Sequence, residues 1–349
     1  MGDGVKIRAG LDYLTVSKVQ DERSQETILY NAQAFEATRE RIDWKHGYSG
    51  VKICGGNGQV LSRPSLDGIR NDVLVRLPGS AIQWIRDRNL LSDGPYDTHD
   101  AEICRFFTEQ EGFHATRIDL AVDTNDSEVT LPVVEAAVKA RMFTGRAKQA
   151  GNLDTWKIDD PESRGRGQTV TLGGRTSSRY MRIYNKQAQV LKELGRDIGH
   201  MIRFELEIKG EAANKTLHLM QRYGADAIPG LLAGWVNFKD PADDEPRMDR
   251  KRNISWWEKI VNGAEPVILG LSRSPSTPER STKWLKHGVA KTLALALDHG
   301  LLPEIKAAIV SKRHRIKPAE QLLWDNYEAQ RAQRKTLDST YTEGAADAK

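Results

Sequence analysis

In three stretches of this chain the large apolar side chains recur at every second residue, which is the period of a β-strand rather than a helix. They are Arg117-Ile-Asp-Leu-Ala-Val-Asp123, Arg179-Tyr-Met-Arg-Ile-Tyr-Asn-Lys186 and Ile202-Arg-Phe-Glu-Leu-Glu-Ile-Lys209. Residues two apart share a face. One face of the set therefore carries Ile118, Leu120, Val122, Met181, Ile183, Ile202, Phe204, Leu206 and Ile208. The other carries Arg117, Asp119, Asp123, Tyr180, Arg182, Tyr184, Lys186, Arg203, Glu205, Glu207 and Lys209. Strands apolar on one face only belong to an antiparallel sheet with one covered side.

The rest of the chain fits that frame. A strand is expected over 5–17, a helix over 24–42, short strands at 50–54 and 71–77, and helices at 80–87, 98–110 and 131–143. Residues 168–172 and 180–184 read as hairpin arms around Gly173-Gly-Arg-Thr-Ser-Ser178, followed by helices at 186–194 and 212–222. The expected fold is α+β: an antiparallel sheet with one polar catalytic face, helices packed on the other, and a mainly helical C-terminal part. A charge-dense stretch with two prolines, 239–252, suggests a connector or surface excursion. It divides a sheet-bearing catalytic domain, 1–238, from a mainly helical region, 253–335, with a disordered tail over 336–349.

Composition narrows the function. A charged fraction of 29% against 39% hydrophobic residues, with no apolar run of membrane-spanning length, describes a globular protein without a membrane partner. Two cysteines, Cys54 and Cys104, fit a reducing compartment, and no secretory signal opens the chain, so the cytoplasm is the expected location. A net charge of +4 permits a nucleic-acid partner without requiring one. No phosphate-binding Gly-x-x-x-x-Gly-Lys loop, zinc-type cysteine spacing or His-x-His pair is present.

The polar face carries the chemistry. Four carboxylates, Asp119, Asp123, Glu205 and Glu207, cannot all stay ionised side by side without compensation, and Mg²⁺ or Mn²⁺ would relieve them with oxygen ligation. A tyrosine of ordinary pKa about 10 becomes a nucleophile only with help from a cation, metal or base. Tyr184 at the strand-to-helix junction, with Arg182 and Lys186 beside it, is the candidate. Arg164, Arg166, Arg175 and Arg179 surround a glycine-bearing loop and bend where guanidinium forks could meet a DNA backbone, and Arg117, Arg203 and Lys209 are further candidates to hold phosphates or orient carboxylates. Trp256, Trp257 and Trp284 could stack bases, although helical tryptophans are more often core.

These same residues resemble a known family. The 117–123, 171–186 and 203–209 stretches, in that order, look like the replication initiation factor family of rolling-circle initiators and relaxases from plasmids, integrative elements and filamentous phages. Gly10-Leu-Asp-Tyr-Leu-Thr-Val16 is similar to that family's opening strand, and Ser255-Trp-Trp-Glu with Lys283-Trp-Leu-Lys to its C-terminal tryptophan pattern. The resemblance implies a site-specific enzyme that nicks and rejoins single-stranded DNA through a 5′-phosphotyrosine on Tyr184. It also implies a divalent metal on Asp119 and Glu205, with Asp123 or Glu207 completing the set. The expected partner is a single-stranded or cruciform replication origin, and host helicase, host polymerase and a second copy of the chain are further candidates. The competing readings are a non-catalytic DNA-binding regulator of a mobile element and a metal-dependent hydrolytic nuclease.

Overall fold

In the computed structural model the three alternating stretches lie side by side as the adjacent strands β6 (His114–Thr124), β11 (Ile202–Lys209) and β10 (Arg179–Asn185). The structure describes residues 5–21, 23–64, 71–91, 98–153, 168–269 and 285–311, with single positions 278, 282 and 324. Two compact units result, Met1–Leu271 and Ser272–Lys349.

Among the described residues the first unit is built on a ten-stranded sheet, antiparallel throughout. The long β1 (Ile7–Asp21) pairs with β6 on one side and β5 (Asn71–Pro78) on the other. Beyond β5 come β4 (Gly58–Pro64), β3 (Ser49–Ile53) and β2 (Arg41–Asp43); beyond β10 come β9 (Thr169–Leu172) and β8 (Ala150–Leu153). Ile118, Leu120 and Val122 of β6, Met181 and Ile183 of β10, and Ile202, Leu206 and Ile208 of β11 are buried as one core with Leu11, Leu14 and Val16 of β1. Against it lie α3 (His99–Thr108), α6 (Glu211–Tyr223) and α7 (Ala227–Trp235). The expected fold is the observed one: a covered apolar face and a polar face opposite.

Where β5 stops at Pro78, opposite Tyr13, the backbone of β1 loses its strand partner. A buried ion pair takes over that edge. Asp100 of α3 accepts from the Leu11 amide at 2.8 Å, and Arg86 of α2 (Gly79–Arg88) donates to the Leu11 carbonyl at 3.0 Å while pairing with Asp100. Two side chains thus satisfy a donor and an acceptor that would otherwise be buried unpaired.

Some expectations shift. The helix expected over 24–42 ends sooner, as α1 (Ser24–Ala34), because Phe35 turns into the core against Phe106 and Phe107 and Glu36 takes a φ of 51°. Ile42 of that pattern belongs to β2. The helix expected over 131–143 ends as α4 (Leu131–Lys139), and Phe143 enters β7 (Phe143–Gly145), which pairs with β12 (Val236–Phe238). Helix α7 was not expected, since Ala227-Ile-Pro-Gly-Leu-Leu-Ala-Gly-Trp235 contains a proline and two glycines. Pro229 falls in the first turn, where no amide is needed. A Cβ on Gly234 would lie 2.0 Å from the Val267 carbonyl oxygen, so the glycine admits a chain segment that seals the helix.

The charged stretch is a surface excursion. Its ends are tied by a bridge between Lys239 and Asn253 and by the Asp240 amide donating to the Arg252 carbonyl at 2.9 Å. The chain then returns to the first unit through α8 (Ser255–Val261), whose fully buried Trp257 packs on Phe204 and Phe238 with ring centroids 5.6 and 5.2 Å away. The compact unit therefore runs past the boundary expected at 238. The second unit contains a π-helical turn, Leu285–Val289, and helices Ala290–Asp298 and Leu302–Ser311. The tail expected over 336–349 lies outside the described residues.

Candidate active site

Register decides which polar groups meet. Glu205 lies opposite Arg182 on β10, Glu207 opposite both Asp119 on β6 and Tyr180 on β10, and Arg203 opposite both Asp123 and Tyr184. Because β11 is flanked on both sides, its side chains are crowded from both neighbours. Asp119, Glu205 and Glu207 are 1%, 4% and 7% exposed.

Burial on this scale is sustained by pairing. Arg117 donates to Asp119 at 2.9 and 2.5 Å and pairs with Glu207 at 2.8 Å, while Lys209 also holds Glu207. Arg182 pairs with Glu205 and lies 3.8 Å from Asp119. The Tyr184 hydroxyl donates to Glu205 Oε2 at 3.0 Å, so the phenol is the end of a continuous acid–base chain. Burial pushes the Asp119 carboxyl up to about 6, with Glu205 and Glu207 adding to the rise against the pull of Arg117. Burial also raises the Tyr184 phenol, helped by the charge of Glu205, while Arg203 draws it back down. Lys186, at the start of α5 (Lys186–Leu194), is lowered by burial and then by Arg203, and its ammonium donates to Gln189 at 3.0 Å.

Asp123 does not join Asp119. It is held by Arg203 at 2.6 and 2.7 Å, and the same guanidinium reaches Asp12 on β1 at 2.5 Å. Asp12 is a site residue that the alternation did not reveal. Leu11 and Tyr13 face the consecutive residues Leu120 and Asp119, so Asp12 is the extra residue of a β-bulge. A bulge turns two neighbouring side chains to one side, and Asp12 and Tyr13 both reach the polar face, where Arg117 lies 4.4 Å over the Tyr13 ring. The sequence signal was the Gly10-Leu-Asp-Tyr run, in which strict alternation fails.

The remaining candidates separate. Arg175 is exposed at the hairpin bend, where its carbonyl accepts from Lys209 at 2.7 Å. Arg179 is 4% exposed, pairs across to Ile208 of the apolar face, and donates to the Leu269 carbonyl at 2.5 Å. It is therefore a packing residue, because its place in the register is odd relative to Arg182. Arg164, Arg166 and Trp284 lie outside the described residues. Trp256 and Trp257 are core, and the Trp257 indole donates to Asn237 at 2.8 Å.

The polar set opens into a cleft of about 990 Å³ whose lining includes Asp12, Tyr13, Arg117, Asp119, Arg182, Tyr184, Lys186, Arg203 and Glu205. Among the described residues no group of three or more Asp, Glu, His or Cys side chains is arranged to hold a metal ion, and no helix is long and apolar enough to cross a membrane.

Comparison with curated proteins gives no match. Among solved structures, the rolling circle replication initiator protein from Geobacillus stearothermophilus is similar, with a TM-score of 0.56 at 20% identity, covering 76% of this chain and 99% of that one. The likeness is one of fold. The family model for replication initiation factors matches residues 114–303, from the first strand of the buried acid network through the tryptophan helix and beyond. With more than half of its length matched, the chain belongs to the replication initiation factor family.

Proposed function

We propose that this protein starts rolling-circle replication by nicking and rejoining one DNA strand through Tyr184. The observation that carries the reading is the Tyr184 hydroxyl at the cleft, hydrogen-bonded to a carboxylate that is itself held by Arg182. The phenol is raised by burial and by Glu205, so it enters the reaction protonated and needs a base in contact. Glu205 Oε2 already accepts that proton's hydrogen bond, which supports Glu205 as the base.

In the step, the Tyr184 oxygen forms a bond to the scissile phosphorus as its proton passes to Glu205. The bond from phosphorus to the 3′ oxygen breaks, its electron pair leaves with that oxygen, and a proton from solvent completes the 3′-hydroxyl. The 5′ end remains on Tyr184 as a phosphodiester, so attack by a 3′-hydroxyl can reseal the strand. The free 3′ end serves a polymerase as primer. Arg203, whose charge opposes the rise of the phenol pKa, favours the developing phenolate. Lys186, at the N-terminus of α5, adds positive charge beside the phosphate site.

The donors suit a divalent cation in kind. Asp119, Glu205 and Glu207 are oxygen donors, the Asp119 pKa being lifted by burial first and by the other two acids after it, and the Arg182 guanidinium supplies countercharge between Asp119 and Glu205. These three are not gathered around one point, and Glu207 is held by Arg117 and Lys209. Asp119 and Glu205, which line the cleft, are therefore the residues that would hold Mg²⁺ or Mn²⁺ in place of the Arg182 charge, and the ion would supply positive charge for the phosphoryl oxygens. Asp123, committed to Arg203, is left out of that set.

Incubating a labelled, origin-bearing single strand with the protein and Mn²⁺, followed by denaturing electrophoresis, tests the reading. A covalent adduct lost in Tyr184→Phe supports it. Cleavage with no adduct would instead make the protein a hydrolytic nuclease, and retarded but intact DNA would make it a regulator.

A further inference from the structure

The polar face continues past the catalytic strands, across β1, β5, β4, β3 and β2, and there its character changes. Arg76 of β5 lies opposite Thr15 of β1, which lies opposite Arg117 of β6, so all three share the face of the active site. The Arg117 guanidinium covers one ring, Tyr13, at 4.4 Å. The Tyr13 hydroxyl accepts from Arg76 at 3.0 and 3.1 Å. Arg76 in turn lies 4.1 Å over the ring of Trp44, which follows β2 and reaches back across the face from three strands away. A row of alternating guanidinium and aromatic groups thus leads out of the cleft, since Tyr13 and Arg117 are among its lining residues. Farther out, Arg63 lies 4.7 Å over Tyr48, but it is paired with Asp72 at 2.5 Å, so the row with uncancelled charge ends at Arg76 and Trp44.

Two features say what such a row would hold. Arg76 is held by the neutral acceptors Tyr13 and Gln59 and by no carboxylate among the described residues, so its charge is not cancelled. Trp44 is 37% exposed although one side of its ring meets Arg76. The described residues of 38–64 and 71–78 carry six Lys or Arg against three Asp or Glu. Uncancelled arginine between accessible rings suits a polyanion whose bases can leave their stack. Double-stranded DNA keeps its base faces buried, so it cannot use them.

We infer that the Tyr13–Arg76–Trp44 row is a landing surface for single-stranded DNA, carrying the strand to or from the phosphate at Tyr184. The inference rests on the nicking reading for its partner but not for its test. In a Tyr184→Phe background, where no covalent step occurs, binding of labelled oligothymidylate is measured by fluorescence anisotropy. Trp44→Ala is expected to weaken it about 10-fold and Arg76→Gln about 5-fold, with Trp44→Phe restoring most of the loss. Binding of blunt duplex should change less than twofold. Quenching of tryptophan fluorescence by the oligonucleotide should lose amplitude in Trp44→Phe, which keeps the packing. Losses below twofold on the single strand, equal losses on duplex, or an unchanged quenching amplitude would overturn the inference. An active site that forms no adduct while these losses stand would overturn the nicking reading alone.

Discussion

Arg117, Arg182 and Arg203, in the half of the sheet face around Tyr184, each hold at least one carboxylate, whereas Arg76, in the outer half, bonds a phenol and an amide and stacks on an indole. The two halves share one face, yet Arg76 and the arginines around Tyr184 serve opposite ends. A guanidinium paired with a buried acid orients that acid and cancels charge, leaving little net attraction for a phosphate. One with neutral partners keeps its charge for a ligand and gives up none of its own solvation to a carboxylate. On the proposed reading the half around Tyr184 is organised for positioning, and Arg76, unlike the Asp72-bound Arg63 beyond it, for affinity.

The sharpest way to break this division is Glu205→Gln. The amide can still accept from Tyr184 but cannot take its proton, so adduct formation should slow by about 10²–10⁴-fold. Single-stranded DNA affinity should stay within twofold. An affinity loss matching the rate loss would show that Glu205 belongs to binding rather than chemistry.

Next in size is Arg203→Met. It leaves Asp12 and Asp123 facing each other in a partly buried site, and should cost about 3 kcal/mol in urea unfolding, because an uncompensated buried charge is worse than no pair at all. Adding Asp12→Asn and Asp123→Asn should recover most of that loss. Failure to recover would mean that Arg203 packs rather than pairs.

The difference between the halves also explains what could be read from the chain. Strict alternation in β6, β10 and β11 exposed the polar set, the apolar face and the antiparallel sheet, because period two survives wherever one face is buried. Asp12 escaped because a bulge inserts one residue and breaks the parity on which the reading depends. Arg179 misled for the complementary reason: its place beside the glycine-bearing bend suggested a guanidinium for the DNA backbone, yet as the first residue of β10 its parity sends it to the core. The Arg76–Trp44 contact joins strands that are neighbours in neither sequence nor sheet, so no local period signals it. Which acids cluster was equally illegible. Asp119 and Asp123 have the same parity on one strand, and only the position of Arg203 opposite Asp123 separates them.

Acid titration tests the burial that defines the catalytic half. The folded-state pKa of Asp119 is raised from 3.8 to about 6, so between those values the folded chain keeps a proton that the unfolded chain has released. The stability from that retained proton is fully present below about pH 4 and is lost as pH rises through about 6. In metal-free buffer, wild type should therefore lose stability relative to Asp119→Asn by about 1–3 kcal/mol across that window. Trp44→Phe should leave the profile unchanged. A flat difference curve would mean that Arg117 offsets the burial completely.

The smallest effect is the most discriminating. For single strands, the logarithm of affinity falls with the logarithm of salt concentration by about 0.7 per phosphate contact, since each contact releases counterions from the nucleic acid. Stacking releases none. In the Tyr184→Phe background, Trp44→Ala should therefore weaken binding while keeping the slope, and Arg76→Gln should weaken binding and reduce the slope by about 0.7. Arg182→Gln should alter the slope less than Arg76→Gln does, because its charge already belongs to Glu205. If the two substitutions lower the slope equally, the paired guanidinium is as free to meet phosphate as the unpaired one. The contrast between the halves would then be one of geometry alone.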